Sequence, residues 1–378
     1  MAIKVTIDAE WENFMSNDYN DISSDDDELD INVKNTNEEF IAPDLSYDFS
    51  SESPKASDIY ISTKTKIAYL NNLIDLKEIF WQIPIIQYAR PCNGIIKKQM
   101  KFNSNTQEDL LFIQEKLKDE AYFEEYIITH IDNPTGRIKF KDTRKVSIGV
   151  SKKDLMSYRC KKKSAFYNCF VLILRIKVKQ TFKEFHIKVF NTGKLEIPGI
   201  QNEDVFNTIL DTILETLQPY VTEQLGYKEN TTETVLINSN FNCGFFIDRE
   251  TLYDILKFKY NIQCIYDPCS YPGIQSKFYY NPDIGVQNGC QISEENKHLY
   301  TNVNAVSFMI FRTGSILIVG RCDEHILLQI YEFIKIILNN EFKNICQSVK
   351  TGDNQVAVKD KKKKIRRKHI TIEINGEK

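Results

Sequence analysis

The sequence predicts an α+β fold in which two similar halves share one antiparallel sheet and place their long helices on one face of it. Three observations lead to this prediction: two glycine hairpins with the same residue frame, two short helices that begin with Ile-Asp, and two long amphipathic helices that each follow a hairpin. Both halves of the 378-residue chain have the order strand, short helix, strands, glycine hairpin, long helix. A unit that recurs in this way is typical of a repeated architecture.

The two glycine hairpins occupy residues 190–199 and 311–320 and share the frame Phe-x-Thr-Gly-x-x-x-Ile-x-Gly. In each one an apolar strand ends at an aromatic residue, turns at a glycine and returns as a second strand. Gly193 and Gly314 supply the positive φ that such a tight turn needs. We therefore expect the two hairpins to be equivalent corners of the sheet.

A strand and a short helix open each half. Residues 59–70 are rich in Thr, Ile and Tyr and alternate in polarity, which favours a strand, and residues 235–246 form the matching strand. The short helices follow at 74–80 and 247–253, and Asp75 is the expected N-cap of the first.

A long helix closes each half. Asn202 precedes a run whose apolar residues recur at helical spacing and form one stripe: Val205, Phe206, Ile209, Leu210, Ile213, Leu214 and Leu217. Pro219 is expected to end this helix. In the second half Asp323 precedes a helix over 326–338, whose broader apolar face predicts deeper burial.

The first half is longer than the second. Ile74 and Phe190 are 116 residues apart, whereas the equivalent Ile247 and Phe311 are 64 apart, so the first half contains about 52 additional residues. By elimination they lie at about 91–153, and we expect them to form an inserted lobe. Its predicted elements are a helix at 108–119 and strands near 126–131, 138–140 and 146–150.

Charge is distributed unevenly along the chain. Residues 1–58 contain 16 Asp and Glu residues against three Lys, a net charge of −13, and because the whole chain carries −3 the remainder carries +10. The composition of this acidic arm predicts disorder. The basic remainder indicates a polyanionic partner, and a second interpretation is that the arm masks the basic surface. The Lys-rich run at 360–369 favours a phosphate-contacting arm or a nuclear-import signal, although a solvated tail is also open.

Several classes of function find no support in the sequence. No apolar run is long enough to span a bilayer, and the N-terminus lacks a signal-peptide pattern. The nine Cys residues include no Cys-x-x-Cys pair, and the five His residues are isolated, so we expect no metal site, no cofactor and reduced intracellular thiols. No phosphate loop, nucleophile elbow or paired-acid motif is present, and we expect that the protein is not an enzyme.

Two motifs of the second half, together with the duplicated unit, resemble the TATA-box-binding protein family, and in particular the divergent TATA-binding-protein-like factors of large DNA viruses. Residues 266–273, Tyr-Asp-Pro-Cys-Ser-Tyr-Pro-Gly, are similar to the family's Tyr-Glu-Pro-Glu-Leu-Phe-Pro-Gly. Residues 310–314, Ile-Phe-Arg-Thr-Gly, are similar to its Ile-Phe-x-Ser-Gly. The first half matches through 74–77 and through Phe-Asn-Thr-Gly-Lys at 190–194.

The resemblance implies a saddle, in which a curved antiparallel sheet carries its helices on the convex face and holds the minor groove of DNA under the concave face. It further implies a transcription initiation factor that binds and bends A·T-rich promoter DNA. Its partners would be RNA polymerase and general transcription factors of the IIB type, and it would act as a monomer in the host nucleus or a cytoplasmic viral factory, or packaged in the virion. The expected segments are an acidic arm at 1–58, a first repeat at 59–225, a second repeat at 232–346 and a basic tail at 348–378.

The resemblance also implies roles for individual residues. Phe190, Phe311 and Tyr271 match aromatic residues that family members insert between base pairs, and either Phe166 or Phe170 would complete the pair in the first half. The candidates for phosphate contacts are Arg175, Lys194, Lys277 and Arg312, and the candidates for base-edge contacts are Thr65 and Asn238. A packing role in the core is the alternative for every aromatic residue in this set.

Two departures from the family pattern affect the expected specificity. The second-half loop is expanded at 281–302, and Cys269-Ser270 replaces a Glu-Leu pair that contacts factor IIB in family members. The competing hypothesis is a protein–protein interaction module of a transcription complex or virion that keeps the fold but no longer bends DNA. An apolar concave face with a basic rim favours DNA binding, whereas an acidic face favours the interaction module.

Overall fold

The computed structural model describes residues 53–156, 168–300 and 302–347. These residues all lie within the second of two units of the chain, Phe49–Lys378. The predicted acidic arm, apart from its last residues, and the basic tail from 348 onward lie outside the described residues.

Twelve antiparallel strands form one sheet across the described residues. They are β1 (Tyr60–Tyr69), β2 (Gly94–Ser104), β3 (Phe123–Asp132), β4 (Phe140–Gly149), β5 (Cys169–Val178), β6 (Thr181–Phe190), β7 (Lys194–Ile200), β8 (Glu233–Asn242), β9 (Gln263–Ile265), β10 (Ile274–Tyr280), β11 (Asn304–Ile310) and β12 (Ser315–Gly320). Their order across the sheet is β3-β4-β2-β5-β6-β7-β1-β8-β12-β11-β10-β9.

The helices differ widely in length. They are α1 (Leu76–Gln82), α2 (Gln107–Lys118), α3 (Lys152–Met156), α4 (Glu203–Leu217), α5 (Arg249–Asp254), α6 (Glu324–Asn340) and α7 (Phe342–Ile345). A π-helical turn at Ile255–Lys259 continues α5, and single 3-10 segments lie at Gln218–Tyr220 and Glu294–Leu299. Pro219 lies in the 3-10 segment that follows α4, so this helix ends where the sequence predicts.

The strand order is pseudo-symmetric about the pairing of β1 with β8. Moving outward from this seam, β7 corresponds to β12, β6 to β11, β5 to β10 and β2 to β9. The two halves therefore meet edge to edge in one sheet. The predicted α+β fold class, with two pseudo-symmetric repeats in an antiparallel sheet, is confirmed.

The two short helices begin with matching caps. The Asp75 carboxylate accepts hydrogen bonds from the backbone N–H groups of Lys77 and Glu78, and Asp248 accepts the equivalent pair. The backbone angles of the two caps agree closely, with φ −75° and ψ 99° in the first and φ −73° and ψ 104° in the second. Repeated Ile-Asp pairs thus produce the same local structure in both halves.

The glycine turns match equally well. Gly193 has φ +79° and Gly314 has φ +78°, as the sequence predicts. The carbonyl of Gly193 accepts from the N–H of Leu70 at 2.8 Å, and that of Gly314 accepts from the N–H of Cys243 at 2.9 Å. Each hairpin is therefore joined to the end of the first strand of its own half.

Both long helices pack on the same side of the sheet. Lys64 and Lys66 point to one face of β1, and they pair with Glu324 at the start of α6 and with Glu203 at the start of α4, respectively. Side chains of α1, α2 and α4 share one buried cluster with alternate residues of the first-half strands, among them Phe170, Leu172 and Leu174. In the second half α6 packs on β8 and β10 through Tyr331 and Phe333.

The additional residues of the first half enlarge the sheet. The predicted helix at 108–119 is present as α2, and the predicted strand at 126–131 lies within β3. The two strands predicted at 138–140 and 146–150 are one continuous strand, β4. Because β4 pairs with β2 and β3 pairs with β4, the inserted elements extend the outer edge of the sheet in place of the expected lobe.

Candidate nucleic-acid interface

The candidate interface is the face of the sheet opposite α1, α2, α4 and α6, called the open face below. Its residues are identified by strand register, because residues paired across antiparallel strands place their side chains on the same face. Val319, Ser307 and Lys277 form one such row, and Leu317, Met309 and Gln275 form the next.

Apolar and neutral polar side chains dominate the open face of the second half. From Leu236 outward across the paired strands its described residues include Leu236, Asn238, Asn240, Asn242, Ser315, Leu317, Val319, Ser307, Met309, Gln275 and Lys277. No Asp or Glu occurs in this described part of the face, between Leu236 and Asn242 of β8 and across β12, β11 and β10. An acid-free apolar surface is compatible with the floor of a minor groove.

The open face of the first half is more strongly charged. It includes Lys97, Gln99, Lys101, Val171, Ile173, Arg175, Glu184, His186, Lys188, Phe190, Lys194 and Glu196. Glu196 pairs with Lys188 at 2.9 Å, and Glu184 accepts from a backbone N–H. By register, Glu124 of β3 and Glu233 of β8 also lie on the open face. The acid-free part of the second half thus has the composition expected for DNA binding, whereas the acidic side chains of the first half are of the kind expected for the interaction module.

Tyr271 and Phe311 form an aromatic pair at the end of the second-half face. Their ring centroids are 5.9 Å apart, and both side chains are half-buried. Gly273 lies against both rings, since a Cβ at this position would be 3.0 Å from Phe311 and 3.1 Å from Tyr271. The Tyr271 hydroxyl donates to Met309 Sδ at 3.6 Å, and burial raises the pKa of this phenol. The two predicted residues are thus brought together at the same site.

Phe190 occupies the equivalent corner of the first half. Its half-buried ring lies 5.5 Å from the Lys194 ammonium, and its backbone is paired with Cys169. Phe170 points to the opposite face, where it is fully buried and lies 6.3 Å from Phe80, so it is not accessible to a ligand on the open face. Phe166 lies outside the described residues.

The strand register revises the expected partner of Phe190. Gly273 stands opposite Phe311, one step before the Ile274–Ile310 pair, and Cys169 stands opposite Phe190. Tyr271 precedes Gly273 by two residues, so its equivalent in the first half is position 167, which also lies outside the described residues.

Within residues 53–156, 168–300 and 302–347 no group of three or more His, Cys, Asp or Glu side chains is arranged to hold a metal ion. No described helix is long and apolar enough to cross a membrane. The geometry of the site therefore consists of a sheet face, aromatic corners and basic side chains.

The comparison with curated proteins gives one informative match. A protein of Acanthamoeba polyphaga mimivirus, described as TATA-box-binding protein-like, is 24% identical to this chain over 198 residues. The chain is similar to a TATA-box-binding-protein-like protein. This match confirms the resemblance predicted from the hairpins and the 266–273 motif. It covers 48% of this chain and 50% of the viral protein, so the chain spans about half the length of the curated relative it matches.

Two further comparisons add less. No protein-family model matches the chain. Among solved structures, the TATA-box-binding protein of Methanococcus jannaschii aligns with 75% of this chain and 99% of its own, at 12% identity and a TM-score of 0.37. A superposition at this TM-score is too loose to carry a functional conclusion.

The resemblance to TATA-box-binding proteins singled out Arg175 for a phosphate contact, and the structure gives this residue another role. Its guanidinium donates to the carbonyls of Tyr88 at 2.7 Å and Cys92 at 3.1 Å, and also to that of Arg90. It lies near the rings of Tyr88 and Phe182, and it is only 6% exposed. Arg175 therefore holds the loop before β2 in place, and its donors are directed to the protein's own backbone.

Of the other basic candidates, Lys277 lies on the open face and Lys194 lies at the first aromatic corner. Lys277 is half-buried in β10, between Gln263 and Ser307 of the neighbouring strands. Arg312 is exposed in the second glycine turn and donates to Gln347 at 3.1 Å. By register Lys277 corresponds to Ile173, and Arg175 corresponds to Tyr279, so the two basic residues are not equivalent.

Thr65 and Asn238 occupy equivalent positions on the open face, one on each side of the seam. Thr65 pairs with Leu236 across the seam, and Thr63 pairs with Asn238. A hydroxyl and an amide at the centre of the face are suitable hydrogen-bond partners for the N3 and O2 acceptors of A·T pairs.

Proposed function

We propose that this chain is a TATA-box-binding-protein-like transcription initiation factor that binds A·T-rich promoter DNA through the minor groove and bends it. The observation that carries the proposal is the Tyr271–Phe311 pair, held against Gly273 at the end of the second-half part of the open face, whose described residues from Leu236 outward include no Asp or Glu. A pair of half-buried rings in this position is suited to enter between two base pairs once the groove is in contact with the sheet.

The energetics of this interaction divide into two separable parts. Insertion of an aromatic pair unstacks one base step, which costs a few kcal/mol and is offset by the larger contact surface of the kinked duplex. Basic side chains such as Lys194, Lys277 and Arg312 supply attraction to phosphates, which fixes position without reading the sequence. Thr65 and Asn238 then contact base edges near the centre, where they distinguish A·T from G·C pairs.

The proposal extends to the partners expected from the sequence. The chain acts without cofactor or catalytic activity, and it recruits RNA polymerase together with a general factor of the IIB type. The exposed loop around Cys269 and Ser270 is the surface at which the contact with the IIB-type factor would differ from that of family members. A monomer is sufficient, because the two halves supply both ends of the interface.

A fluorescence-energy-transfer bend assay tests the proposal, using end-labelled A·T-rich and G·C-rich duplexes. The unaltered protein is expected to bend the A·T-rich duplex, and Phe311→Ala is expected to bind it with little bending. Phe258→Ala is the matched control, because Phe258 is a 72%-exposed phenylalanine outside the aromatic pair. The absence of bending on both duplexes would contradict the proposal.

One observation favours the competing function, an interaction module that does not bend DNA. The open face of the first half is partly occupied, because Arg175 is engaged by the loop before β2 and a short helix crosses the neighbouring strands. This alternative would be supported if the chain bound a protein partner while the distance between the labelled ends of the duplex stayed unchanged.

A further inference from the structure

The segment that contains α3 lies on the open face of the first half. It begins at Ser151, two residues after the end of β4, and has no counterpart among the described elements of the second half. It is defined here as the strap, residues 151–156. Two contacts fix its position across the strands of the first repeat.

The first contact joins the strap to β2. Both carboxylate oxygens of Asp154 lie 2.8 Å from the Lys97 ammonium. Lys97 points to the open face, because its neighbour Lys98 points to the helix side, where it donates to the carbonyl of Ile83 at 2.8 Å. Lys97 is only 3% exposed, so the ion pair withdraws this cation from solvent.

The same carboxylate also holds the strap together. Asp154 accepts from the backbone N–H of Ser151 at 2.8 Å and from its hydroxyl at 2.7 Å. Burial alone would raise the pKa of the Asp154 carboxyl, but the bonds from Lys97 and Ser151 hold the pKa below its ordinary value. One side chain therefore connects the fold of the strap to its attachment on the sheet.

The second contact joins the strap to β6. The backbone N–H of Lys152 donates to the Glu184 carboxylate at 3.0 and 3.1 Å. Since β5 lies between β2 and β6, a segment attached to both strands crosses β5 on the open face. Ile173, the open-face residue of β5 that is paired with Lys97, is 2% exposed.

We infer that the strap closes the first half of the DNA interface, so that a duplex docks on the second half first and displaces Asp154 from Lys97 to reach the first. This inference rests on the proposed function. The Asp154 carboxylate occupies the position relative to Lys97 that a DNA backbone phosphate takes once the strap is displaced. Exchange of one anion for another makes the displacement sensitive to salt and to the charge of residue 154.

Affinity measurements on the full chain test the role of Asp154. Asp154→Asn removes the competing anion, so we expect several-fold tighter binding to a duplex than in the control Asp132→Asn. Asp132 is exposed at the end of β3, and the control makes the same change in net charge away from the strap. The dependence of log affinity on log salt is expected to steepen by about 0.9, which corresponds to one additional neutralised phosphate.

Hydrogen exchange provides a second readout that needs no variant. In the unaltered protein, the amides of residues 152–156 are expected to lose protection when the duplex is added. Retained or increased protection, together with equal affinities of the two Asn variants for DNA, would overturn the inferred displacement of the strap while leaving the proposed function intact. If neither the unaltered protein nor either variant binds DNA, the proposed function fails and the strap fails with it.

Discussion

Gly314→Ala is expected to destabilise the protein far more than the same change at another glycine with a similar φ. Gly314 has φ +78°, and a Cβ at this position would lie 2.3 Å from the carbonyl oxygen of Phe245 and 3.0 Å from Cys243 Sγ. Gly199 has φ +83°, but nothing lies within 4 Å of its Cβ position. An alanine at either position pays the cost of a positive φ, but only at Gly314 does its Cβ also clash with neighbouring atoms.

The size of the difference follows from these contacts. A left-handed conformation costs an alanine about 1–2 kcal/mol, and this is the whole expected loss for Gly199→Ala. At Gly314 the obstacle is a backbone carbonyl, which no side-chain rotation can move away. The turn would have to shift, weakening the 2.9 Å bonds that it accepts from Cys243 and Ile247. We expect an additional loss of about 1–3 kcal/mol, of the order found for disrupted buried hydrogen bonds.

Urea-induced unfolding, followed by tryptophan fluorescence and circular dichroism, measures both variants. Trp81 is a suitable reporter because it packs between Phe80 and Phe102 in the first-half core. Gly193→Ala should behave like Gly314→Ala, since its Cβ would lie 2.5 Å from the carbonyl oxygen of Asn72. Equal free energies of unfolding for Gly314→Ala and Gly199→Ala would refute the steric argument.

The remaining predictions concern two phenylalanines and the thiols. Phe170→Ala should lower the free energy of unfolding by about 3–5 kcal/mol, as for other buried aromatic residues. Phe190 is half-buried, so Phe190→Ala should lower it by less than about 2 kcal/mol and mainly reduce DNA bending. Chemical denaturation measures both changes, and a larger loss for Phe190→Ala would contradict the assigned faces. In a Cys160→Ser background at pH 8, exposed Cys92 and Cys269 should react quickly with a disulfide reagent. Burial raises the pKa of the Cys169, Cys243, Cys264 and Cys322 thiols to about 11. Because less thiolate is present at pH 8, these four thiols should react only on unfolding. Rapid reaction of all the thiols would argue against this burial.

The features predicted correctly from the sequence depend on local signals. Positive φ at Gly193 and Gly314 follows from the turn itself, and the predicted cap at Asp75 lies within three residues of the N–H groups it binds. The duplication added further information, because each local signal occurs twice in the same order.

The features that the sequence did not predict depend on contacts between distant residues. Arg175 looks like a free cation in the sequence, but its partners are the carbonyls of a loop more than 80 residues earlier in the chain. The face on which Phe170 lies depends on the register of β5 with β6, in which a shift of one residue moves every side chain to the other face. Asp154 and Lys97 are 57 residues apart and carry no motif.

The seam between β1 and β8 has a consequence for the order of folding. Its pairs, such as Thr65 with Leu236, join residues roughly 170 positions apart, whereas β11 and β12 are joined by a tight turn. Since loops of that length close slowly, the hairpins of each half should form well before the seam. Until then β1 and β8 each have an unpaired edge. Two partly folded molecules at high concentration can pair these edges with one another, so refolding at low protein concentration should favour the monomer.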